Sequence, residues 1–206
     1  MALTSSCIFI ATAQPFGTGS GVPSDGGRLW ALIRKKEESR AEAALLALEA
    51  LMEGGIRPRD WDPALVVLAG QVSTPPAYGL SSATMMLRNA EDRSDLAEAR
   101  RQIDRIRQMY PRVPRWLRAD AAAETAFWLA HFQNDASSAL EFLRDARGPL
   151  VAAHRRFRAE AALLLKTGDK EGAKAVLDRA TASLGGGLGQ ASALDMDLIQ
   201  EIRRTL

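Results

Sequence analysis

Few residues of this chain could do chemistry, and their spacing keeps them apart. The two histidines, His131 and His154, have no histidine partner one turn away, and no His-Glu-x-x-His occurs anywhere. A catalytic zinc site needs three protein ligands beside an open water position, so the pair alone does not make one. His131 sits among Phe127, Trp128 and Phe132 and reads as a core or boundary histidine rather than a ligand or base. Asp25, in Ser24-Asp25-Gly26, is a lone carboxylate able to cap a helix. The run Gly185-Gly186-Gly187-Leu188-Gly189 has the composition of a phosphate loop, but no strand precedes it and no Lys-Ser or Lys-Thr follows, so it reads as a flexible linker. Cys7 is the single cysteine, which excludes an internal disulfide.

Binding is easier to place than catalysis. Arg155, Arg156 and Arg158, next to His154 at the start of a helix, form a basic cluster that would hold an acidic peptide or, as charge runs commonly do, face solvent. A second cluster, Arg57, Arg59 and Trp61, could take an anion or a peptide. The simpler reading is that Trp61 plugs a helix junction while the arginines lie in solvent. Arg100, Arg101, Arg105 and Arg107 are offset by Asp95, Glu98 and Asp104, which describes a solvated helix face.

Composition sets the class. With 47% hydrophobic and 25% charged residues, the 206-residue chain can bury a core and is neither disordered throughout nor a multi-span membrane protein. Its 27 basic and 25 acidic residues leave a net charge of +2, too small to argue for a nucleic-acid partner, and aromatic and basic residues do not interleave as such a surface requires. The apolar patch Cys7-Ile8-Phe9-Ile10-Ala11 falls well short of the roughly 20 residues of a membrane helix. Ala11-Thr12-Ala13 has the small-x-small form of a signal cleavage site, but a basic leader is missing.

The elements that would position these residues are helical. Asp95, Asp135 and Asp169 are each followed four residues later by alanine (Ala99, Ala139, Ala173) and eight later by Ile103, Leu143 or Leu177. A carboxylate before a helix accepts from the unpaired N–H groups of its first turn, the small residue admits a close neighbour, and the apolar residue extends the buried stripe. The starts are 40 and 34 residues apart, a period found in helical-repeat arrays. Over roughly 78–184, with Trp128 before the first clear turn, this resembles the tetratricopeptide repeat, which implies stacked helix-turn-helix units around a peptide-binding face. The rest of the chain reads as an irregular segment over 1–27, helices with the Arg57–Trp61 loop over 28–77, and a Gly-rich linker with a last helix, from about Asp195 to Arg204, over 185–206.

A second resemblance lies near the start. Pro15-Phe16, a Gly-rich gap, then Ser24-Asp25-Gly26 and a helix beginning near Leu29 is similar to the latter part of the site-2-protease type of membrane zinc metallopeptidase, and Gly55-Ile56-Arg57-Pro58-Arg59-Asp60-Trp61 resembles a segment that follows the catalytic part in some bacterial members. The resemblance implies Asp25 as the third zinc ligand. Thr12 stands where that family has Asn, however, and the two-histidine helix that would complete the zinc site is absent, so zinc would require the missing half to be supplied from elsewhere.

The expectation is therefore an all-α protein of antiparallel helical hairpins stacked as a short tetratricopeptide-like solenoid, without a catalytic centre or a cofactor of its own. It would act as a scaffold or accessory region for a protein or peptide partner, in the cytoplasm. The alternative is a truncated or split metallopeptidase tail at the cytoplasmic side of a membrane.

Overall fold

The computed structural model describes Trp30, Ile33 and residues 37–148, 151–184 and 193–206. Within them run nine helices and no strand: α1 (Glu37–Glu53), α2 (Pro63–Gly70), α3 (Pro76–Asp92), α4 (Leu96–Met109), α5 (Arg115–His131), α6 (Ala136–Asp145), α7 (Ala153–Lys166), α8 (Lys170–Ala182) and α9 (Ala193–Arg204). The all-α expectation holds. Consecutive helices pack as pairs, α1 with α2, α3 with α4, α5 with α6 and α7 with α8, and α5 also packs closely along α7.

Three of the four pairs turn in the same way. Ser94, Asn134 and Gly168 take left-handed backbone conformations (φ of 58°, 56° and 87°), and the aspartate that follows each one caps the next helix. Asp95 accepts from the Glu98 N–H at 3.0 Å, Asp135 from Ser138 at 3.0 Å and Asp169 from Gly172 at 2.9 Å. The bond to Ser138, together with a weaker pull from Arg107, holds the Asp135 carboxyl below the ordinary aspartate range. One turn in, Ala99, Ala139 and Ala173 are buried. A turn later Ile103 and Leu177 are buried and Leu143 partly so. Asp135→Ala or Asp169→Ala should each cost about 1 kcal/mol in urea unfolding, the usual worth of an N-cap. A loss under a few tenths would mean that the caps do not set these turns.

The first pair ends differently. Gly55, at φ 80°, lets the chain leave α1, and Asp62 accepts from the Ala64 N–H at 2.8 Å with Pro63 in the first turn of α2. Trp61 fills the junction at 3% exposure, inside a core made with Ala44, Leu45, Leu48, Ala69, Val72, Met85 and Met86. Because Met85 and Met86 belong to α3, that helix is shared: its Leu80, Ala83 and Leu87 face the larger core of α3 to α9. The division expected at residues 77 and 78 falls inside α3, across which packing continues.

Helix α9 lies against α7 and α8. It buries Leu194, Asp195, Leu198, Ile199 and Ile202, the spacing of one helical face. Asp195 meets Arg158 in the first half of α7, and the Leu206 carbonyl accepts from Lys170 just past its end at 3.0 Å, so α9 runs in the direction of α7.

Candidate functional site

The face shared by α3, α5 and α7 carries the most unusual chemistry of the described residues. Arg88 of α3, Glu124 of α5, Arg158 of α7 and Asp195 of α9 are each at most 1% exposed, and they form a closed ring. Arg88 donates from Nη1 to Glu124 Oε1 at 2.6 Å and from Nη2 to Asp195 Oδ2 at 2.7 Å. Arg158 donates from Nη1 to Asp195 Oδ1 at 2.8 Å and from Nη2 to Glu124 Oε2. Every carboxylate oxygen of the ring thus receives a guanidinium N–H, the geometry in which such bonds are strongest. The Arg158 guanidinium also lies over the Phe127 ring at 4.3 Å.

A second shell balances the charge. Arg155 donates to both oxygens of Asp120 at 3.0 Å, with its Nε 3.5 Å from Glu124 Oε1 and 3.8 Å from Asp195 Oδ1. Three guanidiniums, of Arg88, Arg155 and Arg158, thereby face three carboxylates, of Asp120, Glu124 and Asp195. Burial opposes the charge of Arg88, but Asp195 and Glu124 outweigh it and hold its pKa above the usual arginine value. Burial opposes the Asp195 charge as well, and the arginines around it, Arg88 foremost, keep it ionised far below the ordinary range. Glu91, one turn beyond Arg88, is the surplus acid. Neither of its carboxyl oxygens has a hydrogen-bond partner, and burial, reinforced by the Glu124 charge and opposed by Arg158 and Arg88, pushes its pKa up to about 8. It is mostly protonated at neutral pH.

On the side of this cluster away from α9 opens a cleft of about 470 Å³. A stripe of α3 (Leu80, Ser81, Met85 and Arg88) makes its floor. The end of α1 supplies Met52, Glu49 and Glu53 along one wall, and α5 supplies Leu117 and Asp120 along the other. Arg155 closes the end. Ser81 donates to Glu49 at 2.6 Å, tying α1 to α3 across the floor.

The residues singled out from the sequence fall into several places. Arg155, Arg156 and Arg158 do not share one surface. Arg158 is fully buried in the ring, Arg155 is buried between Asp120 and the cleft, and Arg156 is half-buried beside Phe157. An outward-facing basic patch is not formed, because the three-residue spacing of 155 and 158 turns both inward. Trp61 plugs its junction as expected, but Arg57 is not left to solvent: it pairs with Asp92 and, at 2.8 Å, with Asp197 of α9. Arg105 likewise leaves the solvated face expected for it and donates to the Gly70 carbonyl at 3.0 Å and to that of Val72. His131 stacks on Phe127 at 5.3 Å, with Nε2 3.1 Å from Glu201. His154 is buried, with Nε2 3.6 Å from Asp195. Among the described residues no three His, Cys, Asp or Glu side chains are grouped to hold a metal, and no helix is long and apolar enough to cross a membrane. Asp25, Cys7 and the Gly185–Gly189 run lie outside the described residues.

The sequence reading missed Arg88, Glu124 and Asp195. A signal for Glu124 was present: it is the one charged residue in Ala121-Ala122-Ala123-Glu124-Thr125-Ala126-Phe127, and an ionised side chain placed amid apolar neighbours needs a partner. Glu124 and Arg158 also sit 34 residues apart, the separation of the caps Asp135 and Asp169, and so occupy matching places in two hairpins. Comparison of the chain with protein-family models, curated proteins and solved structures finds no match.

Proposed function

We propose that this chain is a non-catalytic helical scaffold that holds a protein or peptide partner in the cleft between α1, α3 and α5, with its three like-turned hairpins forming a short tetratricopeptide-like array. The observation that carries this reading is the cleft itself. It is open to solvent, its walls set the apolar side chains of Met52 and Leu117 beside carboxylates, and its arginines, Arg88 and Arg155, are already committed to acids. Buried ionic groups of this kind contribute little net stability compared with an apolar core, but they fix the register of the helices that bear them. Here that means α3, α5, α7 and α9. A floor held in register is what a recognition surface needs, because preorganised side chains lose less freedom on binding.

The reading needs no cofactor and no reactive group. The alternative of a metallopeptidase tail rests on Pro15-Phe16 and Ser24-Asp25-Gly26, which lie outside the described residues, and on the Gly55–Trp61 segment. A photo-crosslinking side chain placed at Met52 or Leu117 should give a discrete adduct with a partner from native extract, while one placed at exposed Leu140 should not. Filling the cleft by Ser81→Trp or Ala77→Trp, in protein whose helicity and melting are unchanged, should remove the adduct. An adduct equally strong from all three positions, or untouched by the filled cleft, counts against the scaffold reading.

A further inference from the structure

We infer that the cleft receives a stretch of partner chain bearing lysine or arginine, whose cationic head is held by Glu49 and Glu53 and whose neighbours pack on Trp116. The inference rests on the scaffold reading above and adds the chemistry of what is bound. Its first support is charge. Arg88, Arg155 and Arg158 are matched by Asp120, Glu124 and Asp195. The arginines in the cleft floor therefore have no surplus charge to offer an anion. Glu49 and Glu53, one helical turn apart at the end of α1, are in no ion pair with any described residue. Among the described residues the surplus at the mouth is negative.

Shape is the second support. Met52, Leu80, Met85 and Leu117 give an apolar lining on which the aliphatic stem of a long basic side chain can lie while its head stays at the wet rim beside the two carboxylates. The third support lies just outside the cavity. Trp116 is 61% exposed, one turn before Asp120 on the same face of α5. An exposed tryptophan at the end of the wall opposite Glu49 and Glu53 is well suited to a cation, through its ring face, and to serve as an anchor at an interface. An occupant that reaches both Trp116, outside the cavity, and the two carboxylates is a peptide segment rather than a small free amine.

The test uses the full chain and fluorescein-labelled short peptides of leucine, alanine and serine that carry arginines, citrullines or glutamates at the same places. Fluorescence anisotropy should show the arginine peptide binding, with the isosteric but neutral citrulline peptide roughly tenfold weaker or worse, a difference of about 1.4 kcal/mol. The arginine signal should fall as salt is raised, as expected for charges near solvent. Glu49→Gln with Glu53→Gln should weaken arginine-peptide binding by a similar factor, and Trp116→Ala by severalfold. Glu53 and Trp116 are exposed, and the glutamine at 49 keeps a carbonyl oxygen to accept from Ser81, so these variants should melt near the parent protein. Equal binding of arginine and citrulline peptides, or an unchanged affinity in the double glutamine variant, overturns the inference. If the glutamate peptide binds and Ser81→Trp blocks it, the charge assignment falls and the scaffold reading stands. If no peptide binds up to millimolar concentration and no crosslinked adduct forms, both fall.

Discussion

Arg158→Met should cost about 3–5 kcal/mol of folding free energy, because removing one member of a buried ionic ring leaves its carboxylates without the cation that made their burial tolerable. Glu124 Oε2 and Asp195 Oδ1 would each lose a donor in a place where both residues are fully buried. Glu91 could offer no relief, since it is already held mostly neutral. Adding Asp195→Leu to Arg158→Met should return part of the loss. The two remaining members, Arg88 and Glu124, then pair with each other at 2.6 Å, and the charge balance is restored. Urea unfolding of both single variants and the double should therefore show a double-variant cost well below the sum of the two single costs. A single-variant cost under about 1 kcal/mol, or a double equal to the sum, would mean that the ring is not the closed unit described.

Glu91→Gln should change how stability depends on pH more than any other conservative substitution. The folded-state carboxyl titrates near 8, whereas in the unfolded chain it titrates near the ordinary glutamate value. Between those values the folded protein keeps a proton that the unfolded chain has given up. Stability contributed by Glu91 is therefore greatest at and below the unfolded pKa, and it declines as pH rises toward 8 by roughly 1 kcal/mol per pH unit. Above that window both states are ionised and the cost of the buried charge is fully present. Glutamine has the shape of the protonated acid and no charge to bury. The variant should match the parent protein near pH 4 and exceed it in urea stability by several kcal/mol near pH 8.5. Parallel pH profiles for the two proteins would show that Glu91 is not held protonated.

The parts of this structure visible in the sequence are those whose cause is local. Each of Asp95, Asp135 and Asp169 reaches an N–H only three residues ahead, so aspartate, alanine and aliphatic spacing suffices to find the turn. Trp61 was legible for a similar reason: a tryptophan between a glycine-ended helix and a proline-started one has little choice but to fill the joint. The ring was not legible because its members belong to four helices. Arg88 bonds to Glu124 across 36 residues and to Asp195 across 107. Periodicity assigns a charged residue to the wet side of its own helix and cannot see a partner on another. The same limit explains Arg155 and Arg158, read as an outward basic cluster although each is turned toward an acid on a neighbouring helix. Arg57 failed as an expected solvent residue because both its partners, Asp92 and Asp197, come from later in the chain.

The order in which the ring's members are synthesised has a consequence of its own. Asp195 closes the ring from 37 residues beyond Arg158 and 107 beyond Arg88. Until α9 emerges, Arg88, Arg155 and Arg158 face only Asp120 and Glu124, and Glu91 is the remaining acid beside them. Final packing of the hairpin interior is therefore coupled to the arrival of α9 rather than to the completion of any single hairpin.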